Sequence, residues 1–135
     1  MLRSISNSEE ENVFKIHPLT QAMEIEGPIL VSACLVGVNC KWDCTNNEDL
    51  RVIAFLKEKC FVPVCPEQLG GLPTPREYCE LKENGNVVSK SGKNYTQNFV
   101  KGARETVKIA KLCGCTKAIL KDCSPSCGTN IVGDE

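Results

Sequence analysis

Apolar residues fall into short blocks whose period changes along the chain, and the changes mark the elements. Residues 1–27 mix Ser, Asn, Glu and scattered apolar side chains without a steady period and close on Gly27-Pro28, a strong chain punctuator. They are expected to form an arm, disordered, ahead of the folded unit. From Ile29 the pattern sharpens: Ile29-Leu30-Val31-Ser32-Ala33 is a short, β-branched run of the kind that makes a strand buried on both faces, ending at Cys34. Asn46 and Asn47 are placed to cap a helix with Glu48 and Asp49 in its first turn and Leu50, Ile53 and Ala54 on one face, running to about Lys59. Phe61-Val62-Pro63-Val64 reads as a second strand that finishes near Pro63, which has no N–H for a ladder.

Residues 65–80 hold Pro66, Gly70, Gly71, Pro73 and Pro75, too many breakers for an element, and predict a long functional loop. Asn84-Gly85 between Leu81-Lys82 and Val87-Val88-Ser89-Lys90 predicts an exposed hairpin. The longest helix starts near Asn94 or Thr96, carries Phe99, Ala103, Val107 and Ala110 as its stripe and stops at Gly114. Lys117-Ala118-Ile119-Leu120 gives a third strand, followed by a Cys, Ser, Pro and Gly loop with a short tail. This alternation predicts a three-layer, Rossmann-like α/β fold with a small, mainly parallel sheet ordered two, one, three. Ligands of such sheets bind outside the strand carboxyl ends, and here each strand is followed by a cysteine in a breaker-rich loop: Cys34, Cys65, then Cys123 and Cys127.

Composition narrows the chemistry. A chain of 135 residues suits one domain, expected over residues 28–135, which needs no metal merely to fold. A formal charge of −1 and a pI of 5.9 lack the basic excess of a phosphate-tracking surface, so nucleic acid is a poor partner. Glu9, Glu10 and Glu11 interrupt what a signal peptide would need, and no apolar run is long enough to span a membrane. The expected compartment is the cytoplasm, where the ten cysteines are more suited to metal or thiolate chemistry than to pairing.

Thiolates are soft donors that select iron–sulfur clusters, zinc or copper(I). The chain has no C-x-x-C pair, the usual unit of structural zinc sites and of thioredoxin-type redox sites, and the spacing after Cys40 and Cys44 reaches Asn47 where a radical-SAM motif would place a third cysteine. Three well-separated ligands suit a four-iron cluster with one iron free of protein. Zinc, a metal-binding module without turnover and a thiol redox protein are the alternatives.

Three blocks carry a resemblance. Val31-Ser32-Ala33-Cys34-Leu35-Val36-Gly37, then Val64-Cys65-Pro66-Glu67-Gln68-Leu69-Gly70-Gly71-Leu72-Pro73-Thr74-Pro75-Arg76, then Ile119-Leu120-Lys121 with Ser124-Pro125-Ser126-Cys127-Gly128 resemble the signatures of the domain of unknown function 523 family over about residues 29–132. The resemblance implies an iron–sulfur enzyme similar to thiouracil desulfidase, removing sulfur without redox change from a small thiolated nucleobase or nucleoside. It implies a [4Fe-4S] cluster on Cys34, Cys65 and Cys127, with Glu67 and Ser124 as catalytic residues; beside these, Asp43, Arg76 and Ser126 are expected as substrate contacts, Arg76 pairing either with the anionic form of a thiolated base or with Glu67. Backbone amides around Gly128 are expected to tune the cluster. The bland readings are that the cysteines are small buried hydrophobes, Glu67 caps the Leu69 or Gly70 amide, Ser124 forms a turn and Arg76 pairs with Glu77 or Glu80. His17 is a bystander, and Cys40, Cys44, Cys60, Cys79, Cys113, Cys115 and Cys123 receive no role. Lys41-Trp42-Asp43-Cys44 departs from the family's Arg-Tyr-Asp-Gly, and the chain stops at Glu135, short of the family's final helix.

Overall fold

The computed structural model of the chain describes residues 27–122 and 124–127. The expected arm, apart from Gly27, and His17, Cys123 and Gly128 lie outside the described residues. Strand β1 (Ile29–Ser32) pairs in parallel with β2 (Phe61–Val64) on one side and β5 (Lys117–Ile119) on the other, so the order β2-β1-β5 is the predicted two, one, three. All four residues of β1 are buried, as a central strand requires. Its odd residues Ile29 and Val31 pack with Leu35 and with Leu56 of helix α1 (Leu50–Leu56), whereas Leu30 packs with Val64 and with Ala110 of helix α3 (Thr96–Cys113). A helix on each face of the sheet makes the three layers. Hairpin strands β3 (Cys79–Leu81) and β4 (Val87–Ser89) form a second, antiparallel sheet and share a cluster of Leu72, Cys79, Val87 and Phe99. Among the described residues no helix is long and apolar enough to cross a membrane.

Several boundaries differ from the sequence expectation, each for a tertiary reason. β1 ends at Ser32 and the chain winds into a 3-10 turn (Ala33–Val36) closed by Gly37 at φ +95, a value that favours glycine. α1 begins at Leu50, because Asp49 is its N-cap, accepting from the Arg51 amide at 2.9 Å. Asn46 and Asn47 are used upstream: Asn46 Oδ1 accepts from the Glu48 amide at 2.9 Å, and the Asn47 amide donates to the Cys34 carbonyl at 3.0 Å. The face of α1 turned inward is Val52, Ile53 and Leu56, while Leu50 and Ala54 are exposed. Pro63 sits inside β2 opposite Val31, and β2 is an outer strand of its sheet, where a missing N–H costs no ladder bond.

The breaker-rich stretch holds one helical turn, α2 (Pro66–Leu69), with proline at the first helical position, where its missing N–H goes unneeded. α2 lies backbone to backbone on α3. A Cβ on Gly102 would meet the Pro66 carbonyl oxygen at 1.9 Å, and one on Gly70 would meet the Asn98 oxygen at 2.0 Å. This contact rotates the buried stripe of α3 to Phe99, Gly102, Thr106 and Ala110, leaving the predicted Ala103 and Val107 half-buried. Gly114 caps α3 in the left-handed region, as its position predicted.

Candidate functional site

The carboxyl ends of β1, β2 and β5 open onto one cavity of about 260 Å³. Cys34 reaches it from the 3-10 turn after β1, Cys65 from the residue joining β2 to α2, and Cys127 from the loop after β5. Glu67, Arg76, Ser124 and Ser126 line the same cavity. Three separate strand-end loops thus deliver the predicted thiols to one place, as strand ends of a parallel sheet do.

Each thiol has its own electrostatic setting. The Cys65 thiol is held below its ordinary value, chiefly because the Cys40 thiol hydrogen-bonds to it, with further help from the Gln68 amide and the Arg76 charge. Cys40, the donor, is correspondingly pushed up. Burial raises Cys34, against a hydrogen bond from Asn47, and burial pushes Cys127 up to about 11, against hydrogen bonds from Ser32 and Ser126. Of the three thiols Cys65 is thus the one held low, while Cys34 and Cys127 would give up their protons only to a metal group that took their place, as thiolate ligation requires.

The donor set fits a polynuclear soft group. Among the described residues no three His, Cys, Asp or Glu side chains converge on a point as a single ion demands. Cys34, Cys65 and Cys127 all line the one cavity, a soft three-thiol set that suits a four-iron cluster in which three irons are each bound by one cysteine and the fourth by none.

Glu67 is fixed by its neighbours. Its Oε2 accepts from both Nε and a terminal nitrogen of Arg76, in an ion pair whose side chains are only 12% and 7% exposed. Arg76 also donates to the Cys40 carbonyl at 2.9 Å and to Thr74 Oγ1 at 2.8 Å, so the guanidinium ties three loops together. It pairs with neither Glu77 nor Glu80 in this arrangement; Glu77 accepts from Ser91 and Glu80 pairs with Lys82. Glu67 Oε1 remains, and faces the Ser126 hydroxyl at 3.4 Å. Ser126 Oγ is in turn 3.2 Å from Ser124 Oγ, a serine that also accepts, at 3.4 Å, from the amides of Ser126 and Cys127. These spacings are long for hydroxyl bonds, a common state of catalytic contacts before substrate tightens them.

Asp43 is not brought to the cavity lining: its carboxylate is exposed and braces a turn, accepting from the amide and hydroxyl of Thr45. Sequence reasoning missed Ser32, Cys40, Trp42, Asn47, Tyr78, Cys79 and Lys121, all of which line the cavity. Ser32 is buried and accepts from the Lys121 amide at 2.9 Å, joining the ends of β1 and β5. The available signal was position: Cys40 and Trp42 stand in the loop that follows Cys34, the first of the three strand-end thiols.

A sequence profile of the 2-thiouracil desulfurase family matches residues 29–134. Uncharacterized protein YbbK of Bacillus subtilis (strain 168) is 35% identical, over 77% of this chain and 75% of that protein. A solved structure described as the [4Fe-4S]-dependent thiouracil desulfidase TudS superposes with a TM-score of 0.69 at 32% identity, covering 81% of this chain and 73% of that one.

Proposed function

The chain belongs to the 2-thiouracil desulfurase family, and from that premise we propose that it is a non-redox desulfidase exchanging the sulfur of a small thiolated nucleobase or nucleoside for a water oxygen. The observation that carries the reading is one small cavity that joins three strand-end thiols to a carboxylate with one oxygen held by Arg76 and the other met only by the Ser126 hydroxyl at 3.4 Å. Cys34, Cys65 and Cys127 would hold a [4Fe-4S] cluster. When bound, such a cluster supplies a soft Lewis acid matched to a thiocarbonyl sulfur. The chain's own residues handle the protons. Arg76 locks Glu67 Oε2, so Oε1 is the atom that takes a proton from the attacking water and returns it. Ser126, between Glu67 and Ser124, donates its hydroxyl to Oε1 and so orients it, and Ser124 holds the Cys127 loop in shape through the amides it accepts from. In sum, thiocarbonyl and water become carbonyl and hydrogen sulfide, with no electron left over.

Anaerobic reconstitution with iron and sulfide, followed by metal counts, a visible spectrum and a hydrosulfide assay with 2-thiouracil, tests the reading. The expected result is iron uptake and release of hydrosulfide with uracil. Each of Cys34→Ala, Cys65→Ala and Cys127→Ala is expected to lose most of the bound iron, whereas the exposed Cys60→Ala keeps it. A protein that takes up zinc and no iron would overturn the cluster assignment, and iron uptake without hydrosulfide release would leave a binding module.

A further inference from the structure

Trp42 lines the cavity, yet 38% of it is exposed, an unusual position for the chain's only tryptophan. Its ring meets Tyr78 edge to face, with centroids 5.7 Å apart and planes at 70°. In that geometry one ring offers a face and the other an edge, so Tyr78 fixes the indole while leaving it at least one face. The backbone is fixed as well. The Arg76 amide donates to the Trp42 carbonyl at 2.8 Å, and the turn around Trp42 is closed by Lys41 to Thr45 and Cys44 to Lys41 hydrogen bonds and by the Asp43 carboxylate on Thr45. Arg76 therefore sets two things at once: its amide positions Trp42 and its guanidinium positions Glu67.

We propose that Trp42, braced by Tyr78, is the wall against which the planar ring of the substrate stacks, making the chain selective for heteroaromatic thiocarbonyl compounds over open-chain thioamides. This rests on the desulfidase reading above and adds the feature that recognises the ring. An aromatic face suits any base, since every base has a π-face, and it holds the ring flat while its sulfur faces the thiols and its edge faces Glu67. Asp43 then serves the substrate through the turn under Trp42 and not by touching it.

The lone tryptophan makes the test direct. The reconstituted protein and the cluster-free protein are titrated with uracil and, separately, with acetamide while indole emission is followed. Saturable quenching by uracil and none by acetamide is expected. In hydrosulfide assays Trp42→Ala is expected to raise KM for 2-thiouracil by about tenfold or more, with the loss mainly in KM, and Trp42→Phe to restore most of it. Emission indifferent to uracil together with an unmoved KM in Trp42→Ala would overturn the wall, as would equal quenching by acetamide. Wild-type protein that releases no hydrosulfide overturns the desulfidase reading instead, and the uracil titration still decides the fate of the wall.

Discussion

Glu67→Gln is expected to lower kcat for hydrosulfide release by about 10²–10⁴-fold, the usual worth of a positioned general acid or base, with the iron content unchanged. Glutamine keeps the shape of the side chain and an oxygen for the Arg76 guanidinium, but it takes no proton from water. The prediction is sharp because the two carboxylate oxygens have different jobs: Oε2 is held by Arg76 and Oε1 looks to Ser126. Glu67→Ala adds a structural penalty. It leaves the Arg76 side chain, 7% exposed, without its counter-charge, and breaking a buried pair from one side costs about 3–5 kcal/mol. The remaining bonds from Arg76 to Cys40 and Thr74 soften that loss. Steady-state kinetics, iron counts and denaturant midpoints separate the two effects. A Glu67→Gln protein with more than a tenth of the wild-type kcat would remove Glu67 from proton transfer.

What the sequence disclosed and what it concealed follow from the range of the interactions involved. The strand order could be read because Ile29 to Val31 is an unbroken apolar run, because Phe61–Val64 and Lys117–Ile119 are likewise short and largely apolar, and because right-handed crossovers leave one arrangement. That Cys34, Cys65 and Cys127 share one rim could be read because a parallel sheet puts its strand ends together whatever the helices do in detail, while the preference for Cys127 over Cys123 came from the family resemblance. The start of α1 could not, since Asn46, Asn47 and Asp49 are all good caps and the choice is made by the turn after β1 claiming the Asn47 amide. The partnership of Cys40 with Cys65 spans loops whose approach no local period records, whereas the pairing of Arg76 with Glu67, nine residues apart in one breaker-rich stretch, was one of the partners the sequence offered. Gly70 is instructive in the same way. It reads only as a chain breaker, yet at φ −80 its backbone asks for no glycine and its small size against Asn98 is what matters; the neighbouring Gly71, at φ +92, is the one with the left-handed backbone.

Gly102→Ala sets local propensity against tertiary approach, and the tertiary term is expected to win. Alanine is favoured over glycine inside a helix by about 1 kcal/mol, so α3 alone would gain. The new methyl, however, would lie 1.9 Å from the Pro66 carbonyl oxygen and 3.2 Å from the Gly70 amide nitrogen, and backbone atoms have no rotamer by which to yield. The first contact is well inside van der Waals range, so α2 has to lift from α3. Lifting it strains the Asn98 side-chain bond to the Gly70 carbonyl, now 3.0 Å, and disturbs the cluster of Leu30, Val64 and Ala110 beneath. Overpacking of this kind costs about 1–3 kcal/mol or more, which exceeds the helical gain. The consequence for activity is larger than for stability. α2 follows Cys65 directly and carries Glu67, so its displacement moves a ligand and the proton-transfer group together, and a shift of about 1 Å at such groups costs on the order of 10²-fold in rate. Gly102→Ala is therefore expected to lower the denaturant midpoint, to bind less iron on reconstitution and to lose about 10²-fold in kcat, although residue 102 faces α2 and does not line the cavity. Wild-type stability and rate in this variant would mean that α2 and α3 are not in backbone contact, and Glu67 would then have to be placed anew.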